Sequence, residues 1–312
     1  MKKLFLILLT LTLVTACDNE PLDNDIYNSG NTNGNGNGNG NGNNTSEEAL
    51  ALNSYSFDTN SEVPIFGTIV VNADFFFNSN NKVSTSNIGS TFFGITVNEN
   101  VTMNRNSNNQ ITGIISQSNG TTTNETTVTY SGSQISQIVY NFIEDDLDDY
   151  TYNFAYTDNT IIRTEVGSSI STVFTLDTSN RIIKKESFDG DISILLENVT
   201  YDGNGNCATS VITGEENTSA TYNYDSNENP LKDGFSDQYL LSFLNDDYSD
   251  DIGSTLAQFH STNNWISITT PEGSVNLTVN YDSTNRITSR TGSYDLGDGV
   301  LINQAESFQY VN

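Results

Sequence analysis

From about residue 50 onward, apolar and polar side chains alternate in short runs. Between Tyr150 and Tyr156 an aromatic side chain stands at every second position, with Thr, Asn and Ala between them. The run from Val275 to Tyr281 alternates in the same way, with Asn and Thr at the intervening positions. Because successive side chains of a β-strand point to opposite faces of a sheet, this pattern predicts strands with one buried face.

A short polar motif separates many of these runs. It begins with Asn or Asp, has Asn at its fourth position and is followed by Val or Ile at its sixth; copies begin at Asn78, Asn106, Asp177 and Asp282. The first side chain can accept a hydrogen bond from the backbone two residues on, and Asn tolerates the left-handed conformation. The motif therefore predicts a hairpin turn that is closed by a bulge. Looser copies begin at Ser131, Thr157, Asp202 and Asp225.

The first apolar residues after these turns recur at nearly regular intervals. They are Val83, Ile111, Ile135, Ile161, Ile182, Cys207, Leu231 and Ile287. The first seven are separated by about 25 residues on average, which matches two strands and two turns and is shorter than a propeller blade of about 40–45 residues. We therefore predict an all-β domain over residues 50–312, an elongated antiparallel meander of repeated hairpins.

Residues 232–262 interrupt this rhythm. Ile252, Leu256 and Phe259 are spaced as i, i+4 and i+7, which places them on one face of a helix. We predict a small insertion with one or two short helices that covers apolar sheet surface. A loop that binds a partner is the alternative interpretation.

A Tyr-Asp pair followed by a short polar turn recurs at Tyr201, Tyr224 and Tyr281. This pattern resembles the YD repeats of RHS-type proteins. The resemblance implies a hairpin-repeat architecture and no catalytic residues. The chain departs from that family in lacking regular Gly and Arg positions, and it is too short to build the closed RHS shell.

The N-terminus has the features of a bacterial lipoprotein signal. Two Lys residues precede an apolar run from Leu4 to Val14, and Thr15-Ala16-Cys17 follows. The run is shorter than the ~20 apolar residues needed to span a bilayer. We predict a signal peptide over residues 1–16 and lipidation of Cys17, which anchors the chain to a membrane. Ordinary cleavage that leaves a chance cysteine is the alternative.

Residues 17–49 are predicted to form a flexible tether, since residues 29–46 are rich in alternating Asn and Gly and contain no apolar side chain. The lipidation signal and this tether together resemble surface lipoproteins of Gram-negative bacteria. The acidic residues after Cys17 resemble the export signals of some of these proteins. We therefore expect an outer-membrane location that faces the cell exterior, although an acidic linker can also arise without this meaning.

The formal net charge is −28 at pH 7, with 11 Lys and Arg against 39 Asp and Glu. Such a chain repels nucleic acid and anionic membrane surfaces, so we expect no nucleic-acid partner. Cys17 and Cys207 are the only two cysteines. Because the lipid would occupy Cys17, we expect no internal disulfide and interpret Cys207 as a small buried residue.

The usual catalytic and zinc-binding patterns are not found. His260 is the only histidine, lies in a polar stretch and is interpreted as a surface or loop residue. One histidine and one free cysteine do not supply the four ligands of a zinc site. We predict a protein that is not an enzyme and has no required cofactor.

Calcium binding is a further hypothesis, because two acidic runs offer the oxygen ligands that Ca²⁺ takes. The candidate ligands are Asp145, Asp146, Asp148 and Asp149 in one run and Asp246, Asp247, Asp250 and Asp251 in the other. Solvated turns are the alternative interpretation.

Trp265, the only tryptophan, is a candidate platform for a sugar ring or, alternatively, a strand aromatic that covers the core.

These observations lead to one main functional hypothesis, a non-catalytic surface lipoprotein that acts by binding or spacing, through adhesion, matrix or glycan contact. A periplasm-facing structural or accessory lipoprotein that serves an envelope protein complex is the second hypothesis. A hydrolase that uses a pair of carboxylates is the third.

Overall fold

The computed structural model describes residues 50–64, 67–143, 149–214, 217–295 and 299–311. The predicted signal peptide, Cys17 and the predicted tether lie outside these residues, as do Asp145, Asp146 and Asp148. In the part of the chain that is described, no helix has both the length and the apolar character needed to cross a bilayer.

The described residues form one sheet of nineteen strands. They are β1 (Leu52–Val63), β2 (Gly67–Phe77), β3 (Val83–Phe92), β4 (Ile95–Arg105), β5 (Ile111–Ser118), β6 (Thr121–Ser131), β7 (Gln134–Phe142), β8 (Tyr150–Tyr156), β9 (Thr160–Glu165), β10 (Ile170–Leu176), β11 (Ile182–Asp189), β12 (Ile192–Tyr201), β13 (Cys207–Gly214), β14 (Thr218–Glu228), β15 (Asn263–Thr270), β16 (Gly273–Asn276), β17 (Thr278–Tyr281), β18 (Ile287–Asp295) and β19 (Leu301–Tyr310). The prediction of an all-β antiparallel meander is confirmed.

The meander closes on itself. Each strand pairs with the next along the chain, with one exception. β16 and β17 do not pair with each other, because they are two halves of one extended run around Leu277; β16 pairs with β15, and β17 pairs with β18. The backbone N–H of Leu277 continues the β15 ladder by donating to the carbonyl of Ile266 at 2.8 Å. β19 then pairs with both β18 and β1. The hydrogen-bonded ladder therefore returns to its first strand.

The turn motif has the predicted conformation. The fourth residues Asn81, Asn109, Asn180 and Asn285 have φ values of 56°, 64°, 58° and 63°. In each turn the side chain of the first residue accepts a hydrogen bond of 2.8 to 2.9 Å from the backbone two residues on. A bulge follows where the next strand begins. The repeated motif is thus explained by the backbone of one hairpin turn.

The predicted turn at Asp225 is wrong. The Asp225 carboxylate does accept from the Asn227 N–H at 2.9 Å, but β14 continues through this segment as a bulge opposite β15. Leu231 does not open a new strand; it lies in a helix, which begins because Asn229 caps it and Pro230 occupies its first position.

The predicted helical insertion is confirmed, with its helices between Pro230 and His260. It contains α1 (Pro230–Gly234), a 3₁₀ turn (Ser236–Gln238), α2 (Tyr239–Asn245) and α3 (Gly253–Thr255), which continues as a π-helical turn (Leu256–His260). The Asn229 amide donates to the carbonyls of Gln258 at 2.9 Å and Ser261 at 3.1 Å, so the two ends of the insertion are held together.

The insertion fills the interior of the closed sheet. Leu241, Phe243 and Leu244 of α2 pack in one core with side chains of β6 to β15. Leu231 and Phe235 pack in a second core with side chains of β1 to β5, β18 and β19. Since these two sets of strands together make up the ring, the insertion lies inside it. The prediction that the insertion covers apolar sheet surface is confirmed.

The two ends of the ring differ. The turns at 78–82, 106–110, 177–181, 202–206 and 282–286 lie at the end where the insertion enters, called here the insertion end. In an antiparallel meander alternate turns share an end. The turns between β3 and β4, β5 and β6, β7 and β8, β9 and β10, and β11 and β12 therefore lie at the other end, called the far end.

Candidate functional site inside the closed sheet

Three charged side chains project from neighbouring strands into the interior. They are Arg163 of β9, Lys185 of β11 and Glu197 of β12, and each is at most 2% exposed. Arg163 and Glu197 lie two positions from the buried residues Ile161 and Val199, so strand alternation places them on the inner face. A buried charge is costly unless it is paired or hydrogen-bonded, so the partners of these groups define the site.

The two cations bind the end of α2 and the loop that connects it to α3. Arg163 Nη1 donates to the carbonyl oxygens of Leu244 (3.1 Å) and Asp246. Lys185 Nζ donates to the carbonyls of Asp247 (2.9 Å) and Asp250. Burial, and then the neighbouring Arg163, lower the pKa of the Lys185 ammonium. The loop therefore supplies carbonyl dipoles that compensate the buried charges.

Glu197 binds the start of α3. Its carboxylate accepts from the backbone N–H groups of Ile252 (2.8 Å) and Gly253 (2.9 Å), and from Ser210 Oγ (2.6 Å). Burial, and then the charge of Asp251, raise the pKa of Glu197 to about 7. One inward carboxylate thus holds both the second half of the insertion and the neighbouring strand β13.

A second buried charge cluster lies on the opposite part of the ring. Arg290 of β18 and Glu306 of β19 form an ion pair with an Nη2–Oε2 distance of 2.6 Å. Tyr55 of β1 donates to the same carboxylate at 2.7 Å, and Gln258 of the insertion donates to the Tyr55 hydroxyl at 2.9 Å. Burial, and then the Glu306 charge, raise the pKa of Tyr55 well above its usual value. This cluster connects the first strand, the last two strands and the insertion.

Two further ion pairs bind the insertion at its entrance. Lys82 Nζ lies 3.2 Å from Asp233 Oδ1, and Arg105 Nη2 lies 2.6 Å from Asp237 Oδ2. Burial raises the pKa of Asp237 even though Arg105 opposes the shift. The insertion is therefore bound by charged groups from several sides of the ring.

The described acidic residues of the second run lie in the loop between α2 and α3. The Asp247 carboxylate accepts from the N–H and hydroxyl of Ser249, and the Asp250 carboxylate accepts from the Asp247 N–H at 3.0 Å. Asp246 and Asp251 are half-buried in the same loop. In the first run, Asp149 accepts from the Phe142 N–H at 2.7 Å. No cluster of three or more His, Cys, Asp or Glu residues among those described could hold a metal ion, and calcium binding stays a prediction.

The candidate sugar platform lies in the core. Trp265 is 5% exposed, and its indole N–H donates to the carbonyl of Ser267 at 2.8 Å. The Arg290 guanidinium lies over its ring at 5.5 Å. The ring is therefore covered by the protein itself, as the alternative interpretation expected.

Cys207 is fully buried, as predicted.

The interpretation of His260 as a surface residue is wrong. The His260 ring is half-buried and packs edge-on against Tyr239 at 5.1 Å, with Phe243 at 5.9 Å. A polar sequence context did not reveal this position because the aromatic neighbours come from another helix of the insertion.

The buried charged residues of the strands were missed by the sequence analysis. They are Arg163, Lys185, Glu197, Arg290 and Glu306. A usable signal was present for some of them, because Glu306 stands two positions before the buried Phe308, as Arg163 stands two positions after Ile161. For Lys185 and Arg290 a bulge lies between the turn and the strand, so counting by twos from the turn gives the wrong face.

No protein-family model matches the sequence, and no curated protein matches it either. Among solved structures, it is similar to a porin-like protein from Bacteroides uniformis, with 9% identity over 83% of this chain and 96% of that one, at a TM-score of 0.46. A porin-like protein from Bacteroides vulgatus has 14% identity over 81% and 97% of the two chains, at a TM-score of 0.28. A LolA-superfamily protein from Nitrosomonas europaea has 9% identity over 85% and 91%, at a TM-score of 0.18. Scores this low do not establish a shared fold, so the function of this chain is inferred from its own residues.

Proposed function

We propose that this chain is a non-catalytic, lipid-anchored protein of the Gram-negative outer membrane that faces the cell exterior. It acts through its outer surface, by binding a partner such as a glycan or matrix component, or by spacing. The observation that carries this proposal is the polarity of the closed sheet: its outer wall is polar, and its interior is filled by apolar side chains and by charged groups that bond to one another or to the insertion.

The polarity is visible along single strands. In β4, Val101 and Met103 are buried inside, whereas Asn100, Thr102 and Asn104 are exposed outside. In β19 the inward positions are buried, and the exposed outward positions are Asn303, Ala305 and Gln309. A sheet that spans a bilayer instead presents an apolar band on its outward face. The polar outer wall of this sheet is suited to contact with water. This polarity supports a protein that is held at a membrane by an anchor and does not span it with its strands.

The interior supports a binding or spacing role in a second way. The inward charges Arg163, Lys185 and Glu197 bond to the chain's own insertion. These groups hold the structure together, so the surfaces left for partners are the outer wall and the turns. Asn, Ser and Thr side chains on that wall offer neutral hydrogen-bonding groups of the kind that bind glycans.

Two experiments test the anchor and the orientation. Cells that express the chain are labelled with radioactive palmitate, and the matched variant Cys17→Ser is expected to lose the label. Protease added to intact cells is expected to digest the protein. Digestion only after the outer membrane is permeabilised would instead support the periplasm-facing accessory lipoprotein.

Binding and catalysis are tested on the purified chain. A glycan array and immobilised matrix proteins are expected to reveal a ligand, and a broad panel of hydrolase substrates is expected to show no turnover. Turnover that disappears with one carboxylate substitution would contradict the non-catalytic role. Ion conductance across a planar bilayer would contradict the outward polar surface.

A further inference from the structure

Exposed apolar side chains are concentrated at the far end of the ring. Six of them define the apolar rim, and their exposed fractions lie between 43% and 70%: Phe92, Phe93, Ile95, Ile143, Val166 and Ile192. They lie in, or directly beside, the four turns that connect β3 to β4, β7 to β8, β9 to β10 and β11 to β12. The motif turns at the insertion end begin with Asn or Asp and carry no such side chain. The motif turns at the insertion end are therefore polar, whereas part of the far end is apolar.

The backbone conformation at Phe93 is one that a bulky apolar residue adopts only with strain. Of the non-glycine residues with positive φ in the described chain, five are Asn and one is Phe93, with φ of 51°. Asn119-Gly120 forms the corresponding turn of the next hairpin with φ values of 52° and 79°, against 51° and 75° for Phe93-Gly94. Asn-Gly is the preferred sequence for such a turn, and a bulky residue there is strained. Phe93 thus occupies a place where the fold alone favours Asn.

The β3–β4 hairpin also extends past the neighbouring strand β5. β4 pairs with β3 as far as Ile95, opposite Phe92, whereas its last pair with β5 is Glu99 with Ser118. Four residues of β4 therefore extend past the edge of the neighbouring strand. Ile95 has the same strand parity as the buried Val101 and Met103, yet it is 70% exposed because β5 does not extend this far.

The spacing of the rim favours a fluid surface over a protein partner. Nine strand spacings separate β3 from β12, and at about 4.8 Å each the rim extends over an arc of roughly 40 Å. Three of the six side chains lie in the β3–β4 hairpin, where the ring centroids of Phe92 and Phe93 are 4.2 Å apart, and the other three lie singly along the arc. Groups placed in this way form no patch that is continuous along the arc, as a protein interface would require. A lipid interface accepts separate apolar side chains one by one.

The charge at the far end selects the kind of lipid. Among the described residues, the turns and strand ends there carry no Lys or Arg, and their exposed acidic residues include Glu62, Asp189, Asp191 and Glu272. Contact with anionic lipid would be repulsive, and a zwitterionic lipid surface avoids this cost.

The chain outside the described residues is long enough for this contact. Cys17 and Leu50 are 33 positions apart, and at most about 3.3–3.6 Å per residue allows a reach of roughly 110 Å. A ten-residue strand is only about 33 Å long. Although β1 begins at the insertion end, an anchor at Cys17 would still let the far end reach the same bilayer.

We propose that the apolar rim is a membrane contact in its own right, which inserts into the interface of a zwitterionic lipid surface. It orients the ring with its far end against the bilayer. The contact does not require lipid on Cys17, so it is tested separately from the proposed anchor.

The test uses a chain that starts at Asp18, which cannot be acylated and contains the complete ring and insertion. Flotation with phosphatidylcholine vesicles measures the bound fraction. The triple variant Ile95→Ser, Val166→Ser and Ile192→Ser is expected to bind at least about tenfold more weakly, since three exposed aliphatic groups no longer enter the interface. The matched control, Val211→Ser with Val311→Ser, changes exposed apolar residues outside the rim and is expected to bind like the parent.

Phe93→Asn separates membrane contact from folding. It is expected to unfold at the same or a higher temperature than the parent, because it relieves the strained turn, and yet to bind vesicles less. The proposal is overturned if the parent does not float with phosphatidylcholine vesicles, or if the triple variant and the control lose binding equally. Binding that requires phosphatidylglycerol, or a rim that instead drives self-association of the parent in light scattering, would also overturn it.

Discussion

Arg290 and Glu306 face each other across β18 and β19 as a fully buried ion pair with two hydrogen bonds. Arg290 Nε donates to Glu306 Oε1 at 2.7 Å, and Nη2 donates to Oε2 at 2.6 Å. The same carboxylate accepts from Tyr55 of the first strand at 2.7 Å. One charge pair thus lies at the seam where the ring closes.

Removing one partner of this pair is expected to be far worse than removing both. Arg290→Leu leaves the Glu306 charge buried without a cation and should lower the free energy of unfolding by about 3–5 kcal/mol. The double variant Arg290→Leu with Glu306→Leu should regain most of that loss. Urea unfolding measures both, and equal losses in the single and double variants would contradict this assignment.

Glu197 gives the protein a predictable response to pH. Below pH 4.5, its ordinary pKa, Glu197 is protonated in both states; between 4.5 and about 7 only the folded protein keeps the proton. The free energy of unfolding should therefore decrease as pH rises through this window, by roughly 3 kcal/mol from this group. Above about pH 7 the carboxylate is ionised in both states and its contribution is constant.

The comparison with Glu197→Gln isolates this effect, because other carboxylates add their own pH dependence. The free energy of unfolding of both proteins is measured by urea unfolding at several pH values. Between about pH 4.5 and 7, the value for the parent should decrease relative to the value for the variant as the pH rises. A difference that does not vary with pH would show that Glu197 titrates normally.

The strands and motif turns could be predicted from sequence because each depends on local rules. Alternation assigns a face to Tyr152 or Met103, and the backbone needs of one turn explain Asn81 and Asn285. Closure of the ring could not be predicted, since β1 and β19 are far apart in sequence and no local pattern records their pairing.

The interior site could not be predicted from the sequence pattern either. Lys185 looks like an ordinary strand lysine until the loop carbonyls of Asp247 and Asp250 are placed around it. A bulge between turn and strand also reverses the face that simple counting assigns to it. Long-range packing, which a single sequence does not display, decides that this charge is buried.

The motif turns predict a difference between two substitutions at one exposed residue. Asn285 has φ of 63°, which Gly adopts freely and a β-branched residue does not. Asn285→Val should lower the free energy of unfolding by about 1–2 kcal/mol, whereas Asn285→Gly should change it by less than about 0.5 kcal/mol. Thermal unfolding of the two variants measures this, and equal melting temperatures would contradict the turn assignment.

The reactivity of the Cys207 thiol measures whether the insertion is packed inside the ring. Its thiol is fully buried, with Sγ 3.7 Å from the carbonyl of Gly253. In the chain that starts at Asp18, a thiol reagent should label it only as fast as the protein opens. Gly253→Ala should speed labelling by about tenfold or more, because its new Cβ would lie 2.5 Å from Ser210 Cβ. Ser254→Ala is the matched control, and immediate labelling of the parent would show that the insertion does not cover this strand.

Closure of the sheet between its first and last strands is the central claim, and an engineered disulfide tests it most directly. Asn60 of β1 and Asn303 of β19 are exposed partners in the ladder. Cysteines at both positions should form a disulfide within one molecule on mild oxidation, seen by non-reducing electrophoresis and peptide mass spectrometry. The control pair at Asn60 and Asn280, which lies on β17, should not form one. A closed ring predicts the first bond alone; no intramolecular bond between residues 60 and 303, or bonds only between molecules, would contradict it.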